Sequence, residues 1–241
     1  QLSPQSPQEW FAAAFARVTT AVEPPPDSTP RTWSASLRLT NPDGQGLGPV
    51  GEQISLAFQA PDRIRCTAQI QGERLALGRH GQQLWISAPD KSFTLVGSAG
   101  LPRFASLPHK KDATRLAPLA LGLSREQILL LPLLLQVESL PAETIADTPC
   151  RGLRLRPQPA AVEARQLPDG EAHLWIRESD FLPMRLRLAD PQGRWLQVEC
   201  SHIQSEDPWP AEKWRPASDG NATTETVALS HLQRFLKAAV S

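Results

Sequence analysis

Short segments in which apolar and polar residues alternate recur along this chain, and this period of two constrains the fold more than any other feature. Such alternation is typical of antiparallel strands with one face on a core and one toward water. In the first half the alternating apolar residues are Trp33, Ala35, Leu37, Leu39, Ile54, Leu56, Phe58, Ile64, Cys66, Ala68, Ile70, Leu75, Leu77, Leu84, Ile86, Phe93 and Leu95. Short turns at residues 71–73 and 80–82 predict hairpins between them. We therefore expect an antiparallel sheet whose apolar face is buried and whose arginines face solvent.

The alternation resumes in the second half of the chain and is flanked by helical patterns at both ends. Its apolar residues are Leu153, Leu155, Ala172, Leu174, Ile176, Met184, Leu186 and Leu188, and a return strand is predicted at residues 195–203. Residues 8–22 predict an amphipathic helix that is capped by Ser6 and has Pro7 at its first position. We expect a single domain over residues 1–241, with helices at 8–22 and 224–240 and with strands at 31–96 and 148–203.

Residues 97–141 interrupt the strand series with a segment rich in proline, leucine and alanine. Within it, residues 124–127 form a capping box that leads into the apolar run 128–135. A helix that is apolar nearly all round must be buried or must cover something apolar. A lid over a pocket and a helix that fills the core are both compatible with this pattern.

The charge balance excludes several classes of partner. Lys plus Arg and Asp plus Glu number 25 each, so the chain lacks the net positive charge typical of nucleic-acid binders or of proteins drawn to anionic lipid headgroups. No uninterrupted apolar run is long enough for a transmembrane helix. The start at Gln1 is typical of a mature chain after signal-peptide removal, which predicts a secreted protein, although the end of a cloned fragment would look the same.

The chain shows no pattern typical of catalysis or of metal and cofactor binding. The five histidines are scattered singly, and no nucleophile elbow, zinc-binding motif or phosphate-binding loop is present. We expect a protein that is not an enzyme and that has no cofactor and no metal. Cys66 and Cys200 alternate in phase with apolar neighbours and are interpreted as small buried hydrophobes, while a Cys150–Cys200 disulfide is the alternative.

The large apolar side chains are the remaining candidates for function. They are Trp33, Leu37, Phe58, Trp85 and Phe93 on the strands and Ile128, Leu131 and Leu134 on the apolar run. A hydrophobic core and a ligand cavity use the same residue types, so both interpretations stay open for these residues.

Two stretches resemble the periplasmic lipoprotein carriers of the LolA type. The first has the pattern of a strand near a Pro followed by a "dG…LW…P" signature, and its matching residues are Pro61, Ile64, Gly81, Leu84, Trp85 and Pro89. The second, from residue 174 to residue 198, resembles the late hairpins of that family, with Leu182-Pro183-Met184-Arg185 followed by a turn through Asp190 and Gly193. The family has an Arg before the early Pro, where it helps a lid to close; here the residue is Ala60.

This resemblance implies an α+β, mainly β fold: a strongly curved antiparallel sheet, an incomplete β-barrel of about eleven strands, wrapped around a helix with short lid helices. It implies a monomeric, non-catalytic periplasmic carrier that binds lipid or lipoprotein acyl chains in an apolar cavity, in outer-membrane biogenesis. Membrane-associated envelope proteins are further partners that it suggests. The alternative is an envelope protein-interaction or sensor module that has the same fold with a filled core.

Overall fold

The structure is a computed structural model that describes residues 4–40, 53–70, 72–104, 106–121, 125–164, 167–189, 194–217 and 223–240. Its helices are α1 (Pro7–Val22), α2 (Arg125–Leu134), α3 (Pro159–Glu163) and α4 (Leu229–Val240). Its strands are β1 (Thr32–Thr40), β2 (Gln53–Gln59), β3 (Arg63–Ile70), β4 (Glu73–His80), β5 (Gln83–Ala88), β6 (Phe93–Ser98), β7 (Leu135–Ile145), β8 (Thr148–Pro157), β9 (Ala172–Arg177), β10 (Pro183–Ala189), β11 (Trp195–Glu206) and β12 (Thr223–Ala228).

The strands form a mainly antiparallel sheet that is open at its ends. Hydrogen bonds join them in the order β12-β6-β5-β4-β3-β2-β1-β11-β10-β9-β8-β7. The edge strand β12 runs parallel to β6, whereas the pairs from β2 to β6 and from β7 to β11 are antiparallel. Because β12 and β7 stand at opposite ends of this order, the sheet does not close into a barrel. The predicted fold class, α+β and mainly β with an incomplete barrel, is confirmed, with twelve strands in place of about eleven.

The chain divides into two compact units, which we describe separately. The first unit consists of Gln1–Pro26, Ser36–Gln53 and Ala120–Ile203, and so contains α1, α2, α3 and β7–β10. The second unit consists of Asp27–Ala35, Ile54–Leu119 and Gln204–Ser241, and so contains β3–β6, nearly all of β2, β12 and α4.

In the first unit, helix α1 packs on the apolar side of β7, β8 and β9. The helix begins as predicted, with Pro7 at its first position and the Ser6 hydroxyl accepting a hydrogen bond from the Glu9 amide at 3.2 Å. The buried cluster between helix and strands consists of Trp10, Phe11, Ala14, Val137, Leu153, Leu155 and Ile176. The alternation of the late strands therefore predicted the correct face for this core.

In the second unit, helix α4 packs on β5, β6 and β12. Its residues Leu229 and Leu232 are almost completely buried. Helix and strand approach closely at Gly97, where an added Cβ would lie only 2.9 Å from the Leu232 side chain. A larger residue at position 97 would therefore force the helix away from the strand.

The start of α4 is held by a carboxylate from a distant loop. Asp112 is 3% exposed and accepts a hydrogen bond from the Ser230 amide at 2.7 Å, and others from the Thr114 amide and hydroxyl. Burial alone would raise the pKa of Asp112, but these hydrogen bonds outweigh it and hold that pKa well below its ordinary value. The charged carboxylate therefore stabilises the helix N-terminus.

Two predicted element boundaries are wrong. The predicted helix 224–240 begins only at Leu229, because the β-branched residues before it form strand β12 along the edge of β6. The predicted apolar helix of residues 128–135 is α2, which ends at Leu134, because Leu135 already pairs with Pro157 in the ladder of β7 and β8.

The three cysteines are free, so the alternative of a Cys150–Cys200 disulfide is wrong. Cys150 is 1% exposed, whereas Cys66 and Cys200 are half-buried. Burial raises the pKa of all three thiols, and that of Cys200 to about 11. They are therefore uncharged at neutral pH, as small apolar side chains would be.

The Asp112→Asn variant tests how much the capping charge stabilises the second unit. We expect its free energy of unfolding at pH 7 to be about 1–2 kcal/mol lower than that of the unchanged protein. Because the pKa of Asp112 is lower in the folded than in the unfolded chain, this difference should be complete above about pH 5 and should shrink as the pH falls below about 4. Urea unfolding at pH 7 and pH 3 measures both values.

Asp207→Asn is the matched control, because the Asp207 side chain is 95% exposed and forms only a long 3.5 Å ion pair with Arg31. Equal stabilities of the two variants at pH 7 would contradict the capping role.

Candidate apolar binding site

Side chains from strands β2 to β6 of the second unit form one continuous apolar face. Directly paired residues of antiparallel strands lie on the same side of a sheet, so the register assigns each side chain to a face. On one side lie Ile54, Leu56, Phe58, Ile64, Cys66, Ala68, Leu75, Leu77, Leu84, Ile86, Phe93 and Leu95. We call this set the apolar face.

The centre of the apolar face is an unbroken row across all five strands. Leu56 pairs with Cys66, Cys66 with Leu77, Leu77 with Ile86 and Ile86 with Leu95. Four strand spacings of about 4.8 Å make this row roughly 19 Å long. The row therefore offers an extended strip of aliphatic surface.

No residue of the apolar face is fully buried. Ten of the twelve are half-buried, while Leu77 on the central strand is 42% exposed and Phe93 is 37% exposed. Contact of contiguous apolar surface with water is unfavourable, and exposed patches of this kind mark sites of interaction. The apolar face is therefore the candidate binding site of this unit.

The opposite face of the same strands is more polar, and yet its centre is covered. A chain segment through Ala211–Trp214 lies against it, with the Trp85 indole N–H donating to the Trp214 carbonyl at 2.8 Å. Trp85 is 2% exposed and Trp214 is 0% exposed. Arg65 extends this contact, because it donates to the Lys213 carbonyl at 2.7 Å and lies over the Trp85 ring.

The sequence-based expectation of a buried apolar face is therefore wrong for these strands. Arg74 is exposed as expected, whereas Arg79 is buried on the apolar side. The covered face includes Ala57, Gln59, Gly78, Trp85, Ser87 and Thr94, all of which are buried. The physical reason is the size of two indole rings: Trp85 falls in the polar phase of β5, and Gly78 on the paired strand leaves the room that its ring fills. The segment that ends at Trp214 then covers the centre of the polar side.

One end of the apolar face is closed by main chain and by α4. Arg79 is 7% exposed at this end and donates to the carbonyls of Gly81, Leu116 and Ala117 at 2.9, 3.3 and 2.5 Å. Burial lowers the pKa of Arg79, and the nearby Asp62 opposes this. The guanidinium therefore anchors residues 116–117 across the strand ends, and the surface toward Ile54 and Phe93 stays the more open part.

The structure places the predicted site residues in different surroundings. Phe58 and Phe93 lie on the apolar face. Trp85 points to the opposite side under Trp214, and Trp33 is 9% exposed in the same unit. Leu37 is half-buried in the first unit. Only the first two of these residues are therefore brought together on one open surface.

The predicted residues of the apolar run lie on α2 in the first unit. Leu131 packs against the core cluster beneath α1, as the core-filling interpretation of this helix predicts, and Leu134 is half-buried. Ile128 lies in the helix, but its side chain is outside the described residues. Leu130 and Leu133 are 48% and 71% exposed, so α2 leaves apolar surface in contact with water.

The predicted site residues were the largest apolar side chains, and they do not include the aliphatic residues that make up most of the apolar face. Leu56, Leu77, Ile86 and Leu95 form its central row, yet none was a predicted site residue. The signal was present, because all four belong to the alternating pattern. The sequence does not reveal that the covered side of these strands is the one opposite these four residues.

On the charged side of the first unit, several described charged groups are paired with one another. Glu171 accepts hydrogen bonds from Arg156 and His173 at 2.6 Å each, and Arg185 contacts both Glu143 and Glu199. Burial would raise the pKa of Glu171, but the contacts with His173 and Arg156 lower it below its ordinary value. Among the described residues, no group of three or more acidic, histidine or cysteine side chains could hold a metal ion.

Within the described part of the chain, no helix combines the length and the apolar character that crossing a bilayer requires. No family model matches the sequence, and no curated protein matches it.

Several solved structures are similar to this chain, all at low sequence identity. The complex of MucA and MucB from Pseudomonas aeruginosa matches at 11% identity with a TM-score of 0.46, over 88% of this chain and 61% of that one. The lipoprotein LppX of Mycobacterium tuberculosis matches at 12% identity with a TM-score of 0.42, over 83% of this chain and 98% of that one. This chain thus spans about three fifths of the first of these structures.

A LolA superfamily protein from Nitrosomonas europaea matches at 13% identity with a TM-score of 0.31, over 85% of this chain and 98% of that one. Likeness at this level concerns the fold alone, because one fold hosts many unrelated functions.

Proposed function

We propose that this protein is a non-catalytic carrier that binds an acyl chain of a lipid or lipoprotein on the apolar face of its second unit. One observation supports this most directly. Twelve apolar side chains are in register on five strands and none is fully buried, while the centre of the polar side of the same strands is covered. A guest that is itself apolar would remove this face from water.

The energetics of such binding need no specific polar group. Each methylene transferred from water to an apolar surrounding contributes about 0.8 kcal/mol. A dozen methylenes would therefore contribute about 10 kcal/mol before the cost of association is subtracted. An aliphatic strip such as the row from Leu56 to Leu95 is sufficient to provide these contacts.

The chemistry of the apolar face supports binding over catalysis. Its one thiol, Cys66, has a pKa raised by burial and is not a nucleophile at neutral pH. The buried Arg79 at its closed end is engaged with three backbone carbonyls, so its donors are directed at the chain itself. Neither group is arranged to attack a substrate or to transfer a proton.

We place this carrier in the periplasm, as the resemblance to LolA-type carriers suggests. There an acyl chain that leaves one membrane needs protection from water. A partner protein that buries the same face is the competing outcome, and the response to acyl-chain length separates the two.

The first prediction concerns how affinity depends on chain length. Displacement of dansyl-labelled undecanoic acid by saturated fatty acids from octanoate to palmitate should give dissociation constants that fall about fourfold with each added methylene, until the face is filled. Fluorescence titration below the micelle concentration measures them. Affinities independent of chain length, or no saturable displacement, would rule out acyl binding and favour a protein partner.

The second prediction locates the ligand. Leu77→Lys places a charge at the centre of the apolar face and should raise the dissociation constant of dansyl-labelled undecanoic acid at least tenfold, since the loss of two methylene contacts costs about 1.6 kcal/mol. Leu188→Lys is the matched control, because Leu188 is also a strand residue and is 43% exposed, against 42% for Leu77, but lies in the first unit.

The control variant should bind the probe within about twofold of the unchanged protein, and both variants should unfold at similar urea concentrations because both positions are open to solvent. An unchanged affinity in Leu77→Lys, or an equal loss in both variants, would contradict the site.

A further inference from the structure

The second unit has another open surface, formed by residues 101–104, residues 106–111 and the outer side of α4. The loop folds back on itself, with the Arg103 amide donating to the Lys110 carbonyl at 3.1 Å and the Asp112 amide donating to the Leu101 carbonyl at 2.7 Å. The contact between Asp112 and Ser230 ties the loop to the start of α4. Loop and helix therefore form one connected surface.

This surface is basic although the chain as a whole is neutral. Residues 101–111 contain Arg103, Lys110 and Lys111, and α4 contains Arg234 and Lys237, while neither segment contains Asp or Glu. All five side chains belong to exposed residues. Among the described residues, Arg103, Lys110, Lys111 and Arg234 form no ion pair. The zero net charge thus conceals a local excess of positive charge.

Two phenylalanines stand exposed within the same surface. Phe104 is 52% exposed and Phe235 is 58% exposed. The Phe104 ring meets the edge of His231 with ring centroids 6.2 Å apart, and Phe235 follows His231 by one helical turn. Apolar rings are thus presented to solvent beside a set of cations.

We propose that this surface docks on an anionic lipid bilayer. Basic side chains near a membrane are attracted to acidic headgroups, and exposed aromatic rings insert at the boundary between headgroups and acyl chains. The basic side chains of this surface would contact the headgroups, and its two phenylalanine rings would contact the acyl chains. A nucleic acid would also use the cations, so binding to DNA without binding to anionic vesicles is a separate outcome of the test.

This inference does not depend on the proposed acyl binding, since the two surfaces share none of the residues that define them. It does modify the conclusion from composition, which argued against recruitment by charge. Total charge measures the average over the whole chain, whereas a bilayer meets only the surface that faces it.

The test is flotation of the full chain with vesicles of phosphatidylglycerol and phosphatidylcholine, compared with vesicles of phosphatidylcholine alone. The unchanged protein should float with the anionic vesicles, and this binding should weaken as salt is raised from low ionic strength. The double variant Lys110→Glu, Lys111→Glu should bind at least 25-fold more weakly, from about fivefold for each basic residue removed.

The matched control reverses two exposed arginines elsewhere, Arg38→Glu with Arg215→Glu, and so changes the net charge by the same amount. It should retain binding to within about threefold. A second pair of variants tests the rings: Phe104→Ala with Phe235→Ala should weaken binding about tenfold, whereas Leu133→Ala, which removes an exposed leucine of α2, should not.

Equal flotation with both vesicle types, no flotation at low salt, or equal loss in the two charge variants would overturn the proposal. Binding to heparin or DNA without binding to anionic vesicles would also overturn it, in favour of an acidic macromolecule. Circular dichroism of each variant confirms that the fold is retained, which the exposure of all these positions leads us to expect.

Discussion

The contact between Trp85 and Trp214 decides which side of strands β2 to β6 is the interior. Both rings are almost completely buried, and the indole N–H of Trp85 satisfies the carbonyl of Trp214. Burying two aromatic rings of this size contributes several kcal/mol, which is enough to hold a chain segment on a face of otherwise small and polar residues. The twelve apolar side chains of the other side are left with only partial cover.

This arrangement gives the apolar face a closed and an open part. At the closed part, Leu232 of α4 meets Gly97, and Arg79 holds the backbone at residues 116–117. At the open part, toward the strand ends, Leu75 is half-buried and Phe93 is 37% exposed. An elongated apolar guest suits such a surface, since contacts accumulate along its length without any directional group.

Much of the architecture could be predicted from the sequence, because period-two alternation and helix caps are local signals. Ser6 and Pro7 marked the start of α1, and the alternation placed the strands β2 to β6 and the apolar core of the first unit correctly. The parallel strand β12 was missed, since its threonines are bounded by a helical pattern and its partner β6 lies far away in the chain.

The site was harder to predict, because the alternation assigns side chains to two faces of the sheet but does not indicate which face other parts of the chain cover. Trp85 was chosen for its size and lies on the covered side, whereas Leu77, a plain member of the pattern, lies at the centre of the open one. That assignment depends on Trp214, which is 129 residues from Trp85 in sequence. No local signal relates two positions so far apart.

Photo-crosslinking with a fatty acid that has a diazirine at its distal end tests the central claim most directly. After illumination and digestion, mass spectrometry identifies the peptides that have been labelled. We expect saturable labelling of peptides from β2 to β6, at apolar-face residues such as Leu77 and Ile86. An excess of palmitate should abolish this labelling. Labelling confined to other peptides, or labelling that palmitate does not reduce, would contradict the assignment of this face as the acyl-binding site.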